Sequence, residues 1–266
     1  MSVLIVIPAR FASARFPGKP LAELTGCSGK SRSLIRRSWD AAMAVSGADR
    51  VVVATDDERI KAAAEGFGAE VVMTSEACAN GTERCSDALG HMRQSYDIIV
   101  NLQGDAPLTP HWFVEDLVAA LQDNPQIGVA TPVLRCDAET LNGLTEDREN
   151  GRVGATTAVF DNTGRALYFS KEVIPFTGRR FVKNEISPVF HHVGVYAYRQ
   201  SALAEYLTWP AGPLELSEGL EQLRFMENGQ SVQCVQVDGR GRAFWELNNP
   251  EDVPRIEQKL AEMGVE

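Results

Sequence analysis

The sequence has no apolar run of the roughly 18–20 residues that a membrane helix needs. Its opening apolar stretch, residues 2–8, is short and ends in Pro-Ala-Arg rather than in a small-residue cleavage site, so the chain is expected to be cytoplasmic. Cysteine gives no framework. Cys27, Cys78, Cys85, Cys136 and Cys234 are odd in number, scattered and without a Cys-x-x-Cys spacing, which argues against both a disulfide scaffold and a thiolate zinc site. A basic excess is missing too, since the formal charge is −10. A nucleic-acid surface releases counterions through a basic patch, so a nucleic-acid partner is not expected. No Gly-x-Gly-x-x-Gly follows the first apolar run and no Gly-x-Ser-x-Gly elbow occurs. Gly29-Lys-Ser31 lacks the glycine five positions earlier that a phosphate-binding P-loop requires, for Leu24 stands there. The adjacent His191 and His192 would point to opposite faces of a strand. Dehydrogenase, serine hydrolase, Walker-type and zinc-protease chemistries all drop out.

What remains is an ordinary globular composition, 44% hydrophobic and 23% charged over 266 residues. That is enough to bury a large core in one α/β domain carrying an embellishment. Short β-branched runs at 4–7, 51–55, 70–73 and 98–102 alternate with helical patterns at 34–45, 57–66, 83–93 and 111–122. A βαβα rhythm of continuous apolar strands predicts a Rossmann-like, mixed but mainly parallel sheet with helices on both faces and ligands bound beyond the carboxyl ends of the strands. Thr109-Pro110 reads as a helix N-cap followed by proline at the first helical position. Further strands are expected at 129–134, 156–160, 192–198 and 232–237, and helices at 215–227 and from Pro250. Long loops are expected at 137–154 and 178–187.

The first twenty residues run against the acidic whole. Pro8-Ala-Arg-Phe-Ala-Ser-Ala-Arg-Phe-Pro-Gly-Lys-Pro-Leu21 leaves the first strand with Arg10, Arg15 and Lys19 and no acid. Guanidinium groups pair bidentately with phosphate oxygens, lysine adds a point charge, and Gly18 lets the backbone approach closely. The segment is suited to a triphosphate, although a solvated basic loop would have the same composition.

This opener resembles that of the 3-deoxy-manno-octulosonate (Kdo) cytidylyltransferases. Six further blocks are similar to that family in its own order: Ala54-Thr-Asp-Asp-Glu-Arg-Ile60, Asn80-Gly-Thr-Glu-Arg84, Asn101-Leu-Gln-Gly-Asp105, Ala166-Leu-Tyr-Phe-Ser170, His192-Val-Gly-Val-Tyr196 and Leu220-Glu-Gln-Leu-Arg224. The resemblance implies a nucleotidyltransferase of the nucleotide-sugar type, a single domain over 1–266 whose portion at about 153–227 takes the acceptor and forms a homodimer. It implies transfer of CMP from CTP to an acidic sugar for lipopolysaccharide or capsule synthesis. It places CTP on Pro8, Ala9, Arg10, Arg15, Lys19, Thr55, Asp56, Asn80, Gly81, Thr82 and Arg84, and the sugar on Gln103, His192, Tyr196, Glu221 and Gln222. Magnesium would be held by Asp105 and by the position of Asn248, and Arg10, Arg15, Lys19 and Asp105 would carry catalysis. Each has a plainer reading: Thr82 as a helix cap, His192 and Tyr196 as core residues, Glu221 as a solvated helix residue.

The chain departs from the family pattern near these positions. Asn248 replaces an aspartate, which leaves an amide oxygen for magnesium but removes a charge, and Glu246 lies on the same side of an extended segment. Asn249-Pro250 followed by acids also makes a good helix start without any metal. Ala106, Cys78, Asn80, Lys171 and Thr157 stand where Glu, His, Ser, Arg and Lys are usual, and the 27–33 stretch is longer. These changes keep open a variant acid sugar, such as an amino-deoxy octulosonate or another ulosonate, and a non-catalytic nucleotide-binding homologue.

Overall fold

The computed structural model describes residues 1–12, 16–104, 107–153, 155–242, 247 and 249–266. The chain divides into two compact units, Met1–Val118 with Gly239–Glu266, and Ala119–Asp238. The first contains β1 (Val3–Ala9), β2 (Glu23–Thr25), β3 (Ser31–Ser33), α1 (Leu34–Met43), β4 (Arg50–Thr55), α2 (Glu58–Gly66), β5 (Glu70–Met73), α3 (Gly81–Gly90) and β6 (Ile98–Leu102). Along α4 (His111–Asp123) the chain passes into the second unit.

In the first unit the order is β5-β4-β1-β6 with every pairing parallel. Val3 to Ile7 are all fully buried, as a strand covered on both faces requires. Because the strands are parallel, their carboxyl ends, and the loops at Arg10, Asp56, Thr74 and Gln103, emerge on one edge of the sheet.

The second unit holds β7 (Val129–Arg135), α5 (Ala138–Glu149), β8 (Thr157–Phe160), β9 (Ala166–Ser170), β10 (Phe190–His192), β11 (Val195–Arg199), α6 (Gln200–Tyr206), α7 (Pro213–Glu218), α8 (Leu223–Glu227) and β12 (Val232–Gln236). Here β7 pairs antiparallel with β10 and β11 and parallel with β12, and β8 joins β10 to β9 in antiparallel pairs. The Rossmann-like α/β class is thus realised with mixed pairing: β5-β4-β1-β6 is parallel, β2 and β3 form a separate antiparallel pair in the first unit, and the second unit is mainly antiparallel. The chain then returns to the first unit with α9 (Val253–Met263), whose Ile256 and Leu260 pack with Leu24, Leu34, Leu108 and Leu247.

Four local expectations are corrected. The polar stretch 137–154 contains a helix, α5. Asp137 accepts from Thr140 N at 2.7 Å, and the few apolar residues Ala138, Leu141 and Leu144, three apart, cluster with Phe181 and Val189. The helix expected over 215–227 breaks at Gly219, which adopts φ 63° as the left-handed cap of α7. The strand expected over 192–198 is interrupted at Val193 and Gly194, where the Thr131 hydroxyl donates to the Val195 carbonyl at 2.8 Å. Thr109 does not cap α4: its hydroxyl is buried without a partner, and Phe113 N donates to the Pro110 carbonyl at 3.1 Å. At 178–187 no helix or strand forms, as expected.

Candidate active site

At the carboxyl edge of the parallel sheet, β1 ends in Pro8 and buried Ala9, and exposed Arg10 opens the loop after it. Arg10 Nη1 donates to the Ala79 carbonyl at 3.5 Å, joining this loop to the one entering α3. Gly18 sits at φ 71°, a conformation that favours glycine, and a Cβ there would lie 3.0 Å from the Phe11 ring. Phe11 in turn receives the Arg59 guanidinium, 3.3 Å from its centroid, and Gly18 N donates to the Phe11 carbonyl at 2.9 Å. The turn before Lys19 is thereby closed, with Lys19 opening a short 3₁₀ turn.

The entry to α3 is fixed reciprocally. Asn80 accepts from Glu83 N at 2.9 Å, and the Glu83 carboxylate accepts from Ala79 N at 2.8 Å. The cap is therefore Asn80 rather than Thr82, which is buried in the first turn. Gly81 lies against the end of β6: a Cβ on it would stand 2.9 Å from Asn101 Nδ2 and 3.5 Å from Gln103 Nε2. Gly104 lies in ordinary contact with β1, its Cβ position 3.5 Å from the Pro8 carbonyl. Three of the expected segments, at Pro8, Gly81 and Gln103, are thus in contact, and backbone N–H groups at the start of α3 face this edge, where a helix terminus favours an anion.

Arg84 is committed elsewhere. It is buried, its Nη2 donates to Asp56 Oδ2 at 2.7 Å and its Nη1 to Thr74 Oγ1 at 2.6 Å. It ties the loops after β4 and β5 to α3, so it and Asp56 hold the wall of the site in place. Thr55 is fully buried, and its hydroxyl accepts from Asp57 N at 3.2 Å.

Asn101, named above only as the first residue of a family block, belongs to this edge. It is fully buried, and both Oδ1 and Nδ2 lack a partner. The signal was available: a lone amide inside the apolar run of β6 costs free energy unless something satisfies it.

In the second unit, His192, Tyr196 and Gln222 form a buried set. His192 Nε2 lies 2.9 Å from Thr131 Oγ1, its ring 5.6 Å from that of Tyr196, and Tyr196 OH donates to Gln222 Oε1 at 2.9 Å. Gln222 Nε2 is buried without a partner, while Glu221 is half-buried. Burial pushes the His192 ring down to about 3, with His191 adding to the effect, and His191 itself down to about 4. Both imidazoles are neutral at physiological pH, so neither supplies a cation to an acidic ligand. Nearby, Glu218 accepts from the Ser170 hydroxyl at 2.7 Å and from Lys171 N at 3.0 Å.

Arg15, Asp105, Ala106, Glu246 and Asn248 lie outside the described residues. Among the described residues, no group of three or more His, Cys, Asp or Glu is placed to hold a metal.

Residues 4–232 match the model of the family described as Cytidylyltransferase. A 3-deoxy-manno-octulosonate cytidylyltransferase of Maricaulis maris is 45% identical over 99% of this chain and 99% of its own length. A mitochondrial enzyme of the same name from Arabidopsis thaliana is 38% identical over 99% of this chain and 84% of its own. Among solved structures, CMP:2-keto-3-deoxy-manno-octonic acid synthetase complexed with CTP superimposes with a TM-score of 0.81 at 31% identity, covering 99% of this chain and 100% of that one. With the parallel sheet edge and its glycine contacts in place, these likenesses make the chain a nucleotidyltransferase that belongs to the 3-deoxy-manno-octulosonate cytidylyltransferase family.

Proposed function

We propose that this enzyme transfers CMP from CTP to Kdo, releasing pyrophosphate and giving CMP-Kdo for lipopolysaccharide or capsule synthesis. The observation that carries the reading is the convergence of Pro8, Gly81 and Gln103 at one sheet edge, with Arg10 fastened to the loop entering α3. The sugar's anomeric hydroxyl attacks the α-phosphorus in line, a new P–O bond forms as the hydroxyl proton passes to solvent, and the bond from the α-phosphorus to the α,β-bridging oxygen breaks to release pyrophosphate. Positioning and charge neutralisation supply the acceleration, since phosphoryl-type transfer needs little covalent help from the protein. Arg10, Arg15 and Lys19 carry the triphosphate and the charge that builds on pyrophosphate. The pyrimidine is read by the segment of Asn80, Gly81 and Thr82, where glycine permits close approach. Gln103, His192, Tyr196, Glu221 and Gln222 take the acceptor, with the imidazole acting as a neutral group.

Asp105 and Asn248 offer hard oxygen donors of the kind magnesium prefers, and their chemistry fits that ion. When bound, it would supply Lewis acidity and offset phosphate charge. The enzyme works in the cytoplasm; among the described residues no helix is long and apolar enough to cross a membrane. It forms a homodimer through residues 153–227, where Phe176, Ile186, Leu216 and Val182 are strongly exposed. Sedimentation showing a monomer at micromolar concentration would refute the dimer.

The test of the activity is pyrophosphate release from CTP, with and without magnesium, offering Kdo, an 8-amino analogue and a nonulosonate. Turnover requiring CTP, Kdo and magnesium is expected. Turnover with another sugar alone would move the assignment to that sugar and make Ala106, Lys171 and Asn248 its determinants. No turnover with any of them in folded protein would refute catalysis.

A further inference from the structure

The first unit also contains a cleft of about 150 Å³ between α1, the segment entering α4 and the chain after α9. Three arginines line it, Arg32, Arg37 and Arg242, with His111 and Thr109. Arg37 is the unusual member. Its side chain is buried at 4% exposure, Nη2 donates to the Leu24 carbonyl at 2.7 Å, and Nε and Nη1 have no partner. The Thr109 hydroxyl, buried in the same wall, is also without a partner. A guanidinium out of water with two of its nitrogens unspent is costly to hold, and its burial lowers its proton affinity.

Two carboxylates share the cleft, and neither satisfies it. Asp40 is taken by Arg32 Nη1 at 3.0 Å and by Arg36 Nε at 2.8 Å. Glu266 accepts from Ser28 N at 3.1 Å through Oε1, and its Oε2 has no partner. Arg242 is exposed and lies 4.8 Å from the centroid of the Trp112 ring, while Arg32 is half-buried. The exposed Arg242, with unspent donors on a buried guanidinium and a buried hydroxyl, forms the arrangement that receives a small tetrahedral oxyanion.

We propose that this cleft binds a small phosphate-class anion, held by Arg37 and Thr109 inside and by Arg242 at its mouth. Its lining shares no residue with those assigned to CTP or to the acceptor. The ligand stabilises the fold of the first unit by joining α1 to the segment that enters α4. It acts by mass action on the folded state alone.

Thermal unfolding of the full chain in inorganic phosphate, with potassium chloride matched for ionic strength and an acetate arm, tests the proposal. At ten times the dissociation constant, phosphate should raise Tm by about 3 °C or more. The shift should vanish in Arg37→Met and shrink at least threefold in Arg242→Ala, which alters only an exposed side chain and keeps parental turnover. It should persist in Arg10→Ala, which touches the proposed CTP site. A shift that survives Arg242→Ala unchanged, or is lost in Arg10→Ala, or is matched by acetate, overturns the assignment. Because binding is read by unfolding and not by turnover, failure here leaves the catalytic reading untouched.

Discussion

Gly81→Ala gives the sharpest test of the nucleotide edge. The added Cβ would stand 2.9 Å from Asn101 Nδ2, whereas comfortable heavy-atom contacts involving carbon lie at about 3.5 Å. Asn101 is fully buried in β6 and cannot swing away, so the start of α3 must retreat by roughly half an ångström. A misplacement of about 1 Å can cost about 100-fold in rate, and half of that places the loss near 10-fold in kcat/KM for CTP, or about 1.4 kcal/mol of transition-state stabilisation. Stability should change far less, because alanine is favoured over glycine in a helix by roughly 0.5–1 kcal/mol, which offsets part of the strain. Gly90→Ala at the other end of α3 is the control. Nothing lies within 4 Å of its Cβ position, so it should keep full activity and gain a few tenths of a kcal/mol. Steady-state pyrophosphate release at saturating acceptor, with CTP varied, measures both variants. If Gly81→Ala stays within twofold of the parent while Gly90→Ala behaves as stated, the nucleotide does not depend on the start of α3 and the placement of CTP is wrong.

Other outcomes follow from the interior. Arg224 donates to Glu215 through Nε at 2.6 Å and Nη2 at 2.7 Å, both side chains being buried. Arg224→Met should therefore cost about 3–5 kcal/mol in urea unfolding by stranding the carboxylate, and a loss below about 1 kcal/mol would refute that. Thr131→Val strips His192 Nε2 of its partner and should cost about 1–3 kcal/mol, read from the same unfolding curves. The histidine pair also sets a pH dependence. The folded rings are held down to about 4 and about 3 while unfolded histidine protonates near 6.5, so below pH 6.5 the unfolded chain binds more protons. Their contribution is full above pH 6.5 and is lost as pH falls through that range, so the urea midpoint should decline between pH 6.5 and 5. A flat midpoint there would mean that the rings are not buried as described.

The parallel half of the fold was legible because its signals are local. Continuous apolar strands at Val3–Ala9, Arg50–Thr55 and Ile98–Leu102 alternate with amphipathic helices, and only a covered parallel sheet buries such runs. The second unit was harder because its decisive features are contacts distant in sequence. Nothing within 137–154 announces a helix whose three apolar residues are matched only by Phe181 and Val189. Nothing near Tyr196 announces that a threonine sixty-one positions before His192 will take the bonds of a strand broken between them.

The candidate site divides along the same line. Gly18 and Gly81 could be marked in the sequence because a backbone without a Cβ does not depend on a partner, but what each lies against, the Phe11 ring and Asn101, is not written beside it. Arg84 and Asp56 could not: each looks like a free charge open to the nucleotide, yet at 2.7 Å they meet one another. Their pairing changes what a substitution would mean. Removing Arg84 strands a carboxylate beside Thr74 and loosens the wall that α3 presents, so lost activity there would report positioning rather than contact. The same caution applies to His192 and Tyr196, whose polar atoms are engaged with Thr131 and Gln222. Asn101 reverses the case. A residue with no expected role is, among the described residues, the buried amide at this edge with both polar atoms unspent, and its packing against Gly81 makes it the part of β6 that fixes where α3 begins.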